Sequence, residues 1–101
     1  MRAKLAKNPH PGIILDEEII VPLKLSYYRL AQATAIPTSR LYEIRDGKRS
    51  ISVDTALRLA KALGTTPDFW INLQTHYDLV EAQRANLKIY DRIQPLVLAP
   101  A

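Results

Sequence analysis

The chain has 101 residues, 14 Lys and Arg against 10 Asp and Glu for a formal net charge of +4, and no cysteine. That length makes one domain with a modest core. The absence of cysteine excludes a disulfide framework and a thiolate-held metal, and no run of about 18 apolar residues is present to span a membrane. A small basic domain suits a polyanionic partner, and a cysteine-free chain fits the reducing cytoplasm. The opening "MRAKLAKNPHPG" reads as a mature N-terminal arm over residues 1–10, because no apolar core and small-residue cleavage site follow its cations.

The elements read as short helices. The first spans Pro11 to Val21, with Ile14, Leu15 and Ile19 inward, the acidic Asp16, Glu17 and Glu18 mostly outward, and Pro22 ending it. Ser26 is a good N-cap for a second helix, "YYRLAQAT". Pro37 fixes the start of a third, "TSRLYEIR", which runs out through Gly47 into Lys48 and Arg49. The fourth begins at Ser52, with Ala56, Leu59, Ala60 and Leu63 at helical spacing, and stops at Gly64. The fifth opens on Thr66 as cap and Pro67 at the first helical position, with a stripe of Phe69, Leu73, Tyr77 and Val80. Residues 84–101 form a C-terminal extension whose pattern fits a helix end, a strand or a loop. Residues 11–83 are then the helical domain proper.

The second and third helices have the spacing of a helix-turn-helix, whose second helix enters the DNA major groove. Small Ala31 permits the close approach. With Leu41 and Ile44 inward, a rotation of about 100° per residue points Ser39, Tyr42 and Glu43 outward, with Thr38 and Arg40 on the flanks. This polar face suits base edges: Glu43 can accept from a cytosine amino group and Arg40 can reach guanine or phosphate. Lys48 and Arg49 lie where a phosphate backbone would run, and Ser26 and Tyr27 can offer hydroxyl, phenol or backbone N–H to phosphate. The same spacing fits a plain amphipathic helix with a solvated outer face equally well.

The run "LSYYRLAQATAIPTSRLYEIRDGKRSISVDTALRLAKALGTTPDFWINLQTHYDL", preceded by "HPGIILDEEIIVPLKLS", resembles the HigA/VapI antitoxin family of repressor-type helix-turn-helix proteins over residues 9–83. The leading "HPG" and "TALRLAKALGTTPDFWINLQ" carry the specificity of the match. The resemblance implies an all-α, five-helix domain and two jobs. One is to repress its own operon as a homodimer on a palindromic double-stranded operator, with the fifth helix and the tail, through Tyr77, Val80, Ile89, Leu96 and Val97, as the expected interface. The other is to neutralise a RelE/HigB-like ribonuclease toxin. Such toxins are basic RNA binders, which makes Asp16, Glu17 and Glu18 the expected toxin patch. Similar domains often carry glutamine at Tyr27, glycine at Lys24 and Ala35, and an acid at Arg45 that pairs with a basic first helix. An alanine with positive φ at position 35 is strained by about 1 kcal/mol. Because the charges are reversed in this chain, Arg45 is expected on Asp16, Glu17 or Glu18, with solvent or phosphate as its alternatives.

His10 and His76 lie far apart with no third ligand pattern, and no nucleophile, base and orienting group share a spacing. No catalytic residue, metal or cofactor is therefore expected, and the chain reads as a binding protein rather than an enzyme. The alternatives are a solitary helix-turn-helix regulator without a toxin, and an adaptor that no longer binds DNA; the latter would leave "GKR" idle.

Overall fold

The computed structural model describes residues 8–97. Helix α1 (Pro11–Ile14) continues directly into a π-helical stretch (Leu15–Ile20). Then follow α2 (Tyr27–Thr34), α3 (Thr38–Arg45), α4 (Val53–Leu63) and α5 (Pro67–Asp91). No strand occurs among the described residues, so the five-helix, all-α reading holds. Of the expected arm, residues 1–7 lie outside the described residues.

Local chemistry explains most boundaries. Ser26, Ser52 and Thr66 are extended N-caps whose hydroxyls accept from Arg29, Thr55 and Phe69 N–H. Gly64 closes α4 with φ 72°. Ala35 closes α2 in the left-handed region, at φ 59° and ψ 27°, and Lys24 has φ 54°. These are the two positions at which the family resemblance implies glycine. The Ala35 turn is held by its neighbours. The Thr34 hydroxyl donates to Leu30 O (2.7 Å) and accepts from Ile36 N–H (3.2 Å), while Arg58 Nη1 donates to Thr34 O (2.8 Å).

The core gathers one face from each helix. Leu15, Ile36, Leu41, Ile44, Leu59 and Trp70 are fully buried, each contributing about 1.5–3 kcal/mol relative to exposure. Polar groups that enter the core find partners. Trp70 Nε1 donates to Thr65 Oγ1 (2.8 Å). Gln74 accepts from Ile51 N–H (2.8 Å) and donates to Asp78 (2.9 Å). This corrects the expected α5 stripe: Trp70 and Gln74 are buried, whereas Phe69 is exposed.

Two further elements depart from the expected ones. The first helix widens to π geometry, with Val21 N–H donating to Asp16 O (2.9 Å). Helix α5 runs 25 residues to Asp91, through a non-helical Asn86 (φ −127°, ψ 26°), so the expected extension begins as helix. It projects beyond the bundle, giving extents of 51 × 26 × 22 Å. Leu79, Leu87, Ile89 and Tyr90 stay exposed along it, as does Ile93 just beyond its end.

The "HPG" segment is a docking device. Pro11 takes the first helical position, and His10 Nδ1 accepts from Gly12 N–H (3.0 Å). The His10 ring meets Tyr77 edge-on at 4.9 Å, and Asn8 Nδ2 donates to Tyr77 O and Glu81 Oε2 (both 3.2 Å). Gly12 lies against the Ile44 carbonyl so closely that any Cβ would collide with backbone.

Two opposite substitutions test this account. Gly12→Ala is expected to cost about 1–3 kcal/mol, since backbone cannot step aside as a side chain can. Ala35→Gly is expected to gain up to about 1 kcal/mol by relieving the left-handed backbone. Denaturant melts read both.

His10 adds a pH dependence. Burial lowers its pKa below the ordinary 6.5, and Asp78 opposes this more weakly. Folding thus favours the neutral ring, and the unfolded chain binds more protons below pH 6.5. Stability should be complete above that value and decline as pH falls beneath it, with the Gly12 N–H losing its acceptor. Thermal melts across pH should show the decline in wild type and a shallower one in His10→Gln.

Candidate nucleic-acid interface

Helix α3 presents the surface. Pro37 supplies its N-cap and cannot extend it backwards. Leu41 and Ile44, both fully buried, anchor it and set its rotation. Ser39, Tyr42 and Glu43 are exposed and Thr38 and Arg40 half-buried, as the helical period requires.

Its carboxyl end is closed by two reverse bonds. Gly47 N–H (φ 75°) donates to Ile44 O at 3.1 Å, and Lys48 N–H to Glu43 O at 2.8 Å. This is the pairing of a Schellman motif. It fixes the backbone from which exposed Lys48 and Arg49 project. Arg49 Nε donates to Glu43 Oε1 at 2.9 Å, so a base-reading candidate and a phosphate candidate are bonded to each other.

Ser26 is exposed at the start of α2, its Oγ accepting from Arg29 N–H (3.1 Å). Tyr27 beside it does not match expectation. Only 8% of it is exposed, and its phenol donates to Asp16 Oδ1 at 2.6 Å. Burial, and then the bond to Asp16, push the phenol pKa up. The Tyr27 hydroxyl is therefore a structural donor, and only its backbone N–H remains for phosphate. The same bond removes Asp16 from the expected outward acidic patch. Glu17 is half-buried and Glu18 exposed.

Arg45 also differs from expectation. Its Nε donates to Asp46 Oδ1 at 2.9 Å, with Nη2 on Oδ2 at 3.4 Å. The Arg45 bond holds the Asp46 carboxyl below its usual range. The guanidinium carbon lies 4.6 Å from the Tyr42 ring centre and 5.7 Å from that of Tyr27. Arg45 thus meets the acidic first helix through a tyrosine that Asp16 holds. Gly12 and Arg58, which seat α3 and clamp its entry turn, carry no local pattern that marks them for this purpose.

Residues 17–70 match the helix-turn-helix family. The chain is 50% identical to an addiction module antidote protein of the HigA family from Coxiella burnetii. That structure superposes with a TM-score of 0.78, covering 85% of this chain and 95% of that one. The chain belongs to the HigA family of helix-turn-helix proteins. A relative in sequence is virulence-associated protein I of Dichelobacter nodosus, 45% identical over 75 residues, 74% of this chain and 69% of that protein. The antitoxin HigA of Pseudomonas aeruginosa, solved with the higBA promoter, is 38% identical with a TM-score of 0.81, covering 87% of this chain and 97% of that one. Among the described residues of this HigA-type chain, no helix is long and apolar enough to cross a membrane.

The Glu43–Arg49 pair is about half exposed on both sides, which limits its worth to about 0–1 kcal/mol. A double-mutant cycle of Glu43→Gln and Arg49→Gln, read by denaturant melts, should give a coupling inside that range and leave the fold unchanged.

Proposed function

We propose that this chain is the antitoxin of a type II toxin–antitoxin pair. It represses its own operon by binding a palindromic operator as a homodimer, and it neutralises a RelE-like ribonuclease toxin. The observation that carries the reading is the exposed polar face of α3, flanked by Lys48 and Arg49, on a fold shared with a HigA solved on promoter DNA. An α-helix with its side chains is about 10–12 Å across and fits a major groove about 12 Å wide.

Thr38, Ser39, Arg40, Tyr42 and Glu43 read base edges, while Lys48, Arg49, the Ser26 hydroxyl and the Tyr27 N–H hold phosphate. Phosphate contacts set position and base contacts set sequence. The Glu43–Arg49 bond makes these roles compete, because the Arg49 Nε–H and the Glu43 oxygen it ties up are withheld from DNA. A second copy covers the projecting part of α5, where Ile89 and Tyr90 are exposed, together with Ile93, Leu96 and Val97 beyond its end. Tyr77, expected in that interface, is instead packed on His10. The toxin meets the acidic first helix near Glu18, the member of the acidic trio that stays exposed.

Titrations on operator and scrambled duplexes at several salt concentrations test the DNA half. Ser39→Ala should cost about 1–3 kcal/mol on the operator alone. Lys48→Ala should weaken both duplexes alike and lower the salt slope by about one. Glu43→Ala should relax discrimination while strengthening scrambled-duplex binding, because Arg49 is released. An unchanged salt slope in Lys48→Ala would refute the docking. Light scattering should show a dimer that Ile89→Asp converts to monomer. For the toxin half, the product of the neighbouring reading frame should co-purify with wild type and dissociate more readily from Glu18→Lys, whose operator binding is retained. Operator binding without any such complex would leave a solitary regulator.

A further inference from the structure

Tyr42, on the outward face of α3, belongs to a continuous chain of contacts. Asp16 Oδ1 holds the Tyr27 phenol at 2.6 Å. The Tyr27 ring lies 5.1 Å from the Tyr42 ring at 43°. The Arg45 guanidinium stacks 4.6 Å from the Tyr42 ring centre and is itself held by Asp46 at 2.9 Å. A carboxylate at each end therefore pins a tyrosine ring that is still 40% exposed. An isolated exposed tyrosine would sample several rotamers and lose that freedom on binding; here the loss is taken during folding.

We propose that Tyr42 reads a thymine methyl group in the major groove, and that Tyr27 and Arg45 are positioning residues that fix its ring for that contact. The proposal rests on the operator-binding reading above. The thymine C5 methyl is the apolar feature among major-groove base edges, and Tyr42, 40% exposed, is the large hydrophobic side chain among the outward residues of α3. Arg45, although a cation at the end of a groove-sized helix, is engaged with Asp46 and the two rings and does not serve as a phosphate contact.

Operator duplexes in which each thymine in turn is replaced by uracil provide the test. Wild type should lose about fourfold in affinity at one position per half-site, the worth of one buried methyl group. Tyr42→Ala should abolish that difference. Arg45→Gln should shrink it while leaving the salt slope unchanged, and Arg45→Lys, which keeps a cation near the ring, should restore part of it. Tyr27→Phe, which keeps the ring and loses the Asp16 bond, should shrink it partly, with circular dichroism verifying the fold. Two results would overturn the proposal: a wild type that prefers operator to scrambled duplex yet ignores every uracil replacement, or an Arg45→Gln variant with intact thymine preference and a salt slope lower by about one. Equal wild-type affinity for operator and scrambled duplex would overturn the operator reading and this proposal with it.

Discussion

Two turns of helix do not hold together in water, because nucleation costs more than so few hydrogen bonds return. Helix α3 is eight residues long and exists only because Leu41 and Ile44 are sealed into the bundle. Everything the outward face presents follows from that seating. The rotation of α3 is set by two buried side chains and its height by the contact of the Ile44 carbonyl with Gly12. Its carboxyl end is locked by Gly47 and Lys48. Its entry is locked by the Thr34–Ala35–Ile36 turn, where one threonine hydroxyl and the Arg58 guanidinium hold a backbone that alanine tolerates poorly.

The supports come from distant parts of the chain. Gly12 belongs to α1, Arg58 to α4, and the Tyr77 that packs His10 in place to α5. The "HPG" segment thus acts as a wedge between α3, which Gly12 meets at Ile44, and α5, which His10 meets at Tyr77. Surface ion pairs such as Glu43–Arg49 add little to the stability of this arrangement. Their significance lies in deciding which charged group is available when a polyanion arrives.

Local signals were legible where local chemistry decides. Ser26, Ser52, Thr66, Pro37, Pro67, Gly47 and Gly64 mark helix ends by mechanisms that act within one turn, and they fall where the sequence puts them. The inward pair of α3 follows from periodicity alone. What escaped depends on partners far along the chain. Tyr27 looks like a surface residue beside an N-cap until Asp16, eleven positions earlier, takes its hydroxyl. Gln74 breaks an apolar stripe on paper, yet it is buried because the Ile51 N–H needs an acceptor. Phe69 and Trp70 both fall at core spacing in the sequence, yet Trp70 is buried and Phe69 is exposed. The π-helical stretch and the length of α5 have no sequence marker of comparable strength.

The close approach at Gly12 bears on protein engineering. Repressors are often imagined as scaffolds whose recognition helix can be exchanged like a cartridge. Here the eight residues of α3 leave behind the glycine that sets their depth and the Asp16–Tyr27 pair that steadies Tyr42. A graft limited to Thr38–Arg45 would carry the side chains without their posture. The smallest transferable unit spans from His10 to Lys48, nearly half of the described chain, and a donor fold lacking a counterpart of Arg58 would leave its left-handed turn at position 35 without the clamp that α4 supplies.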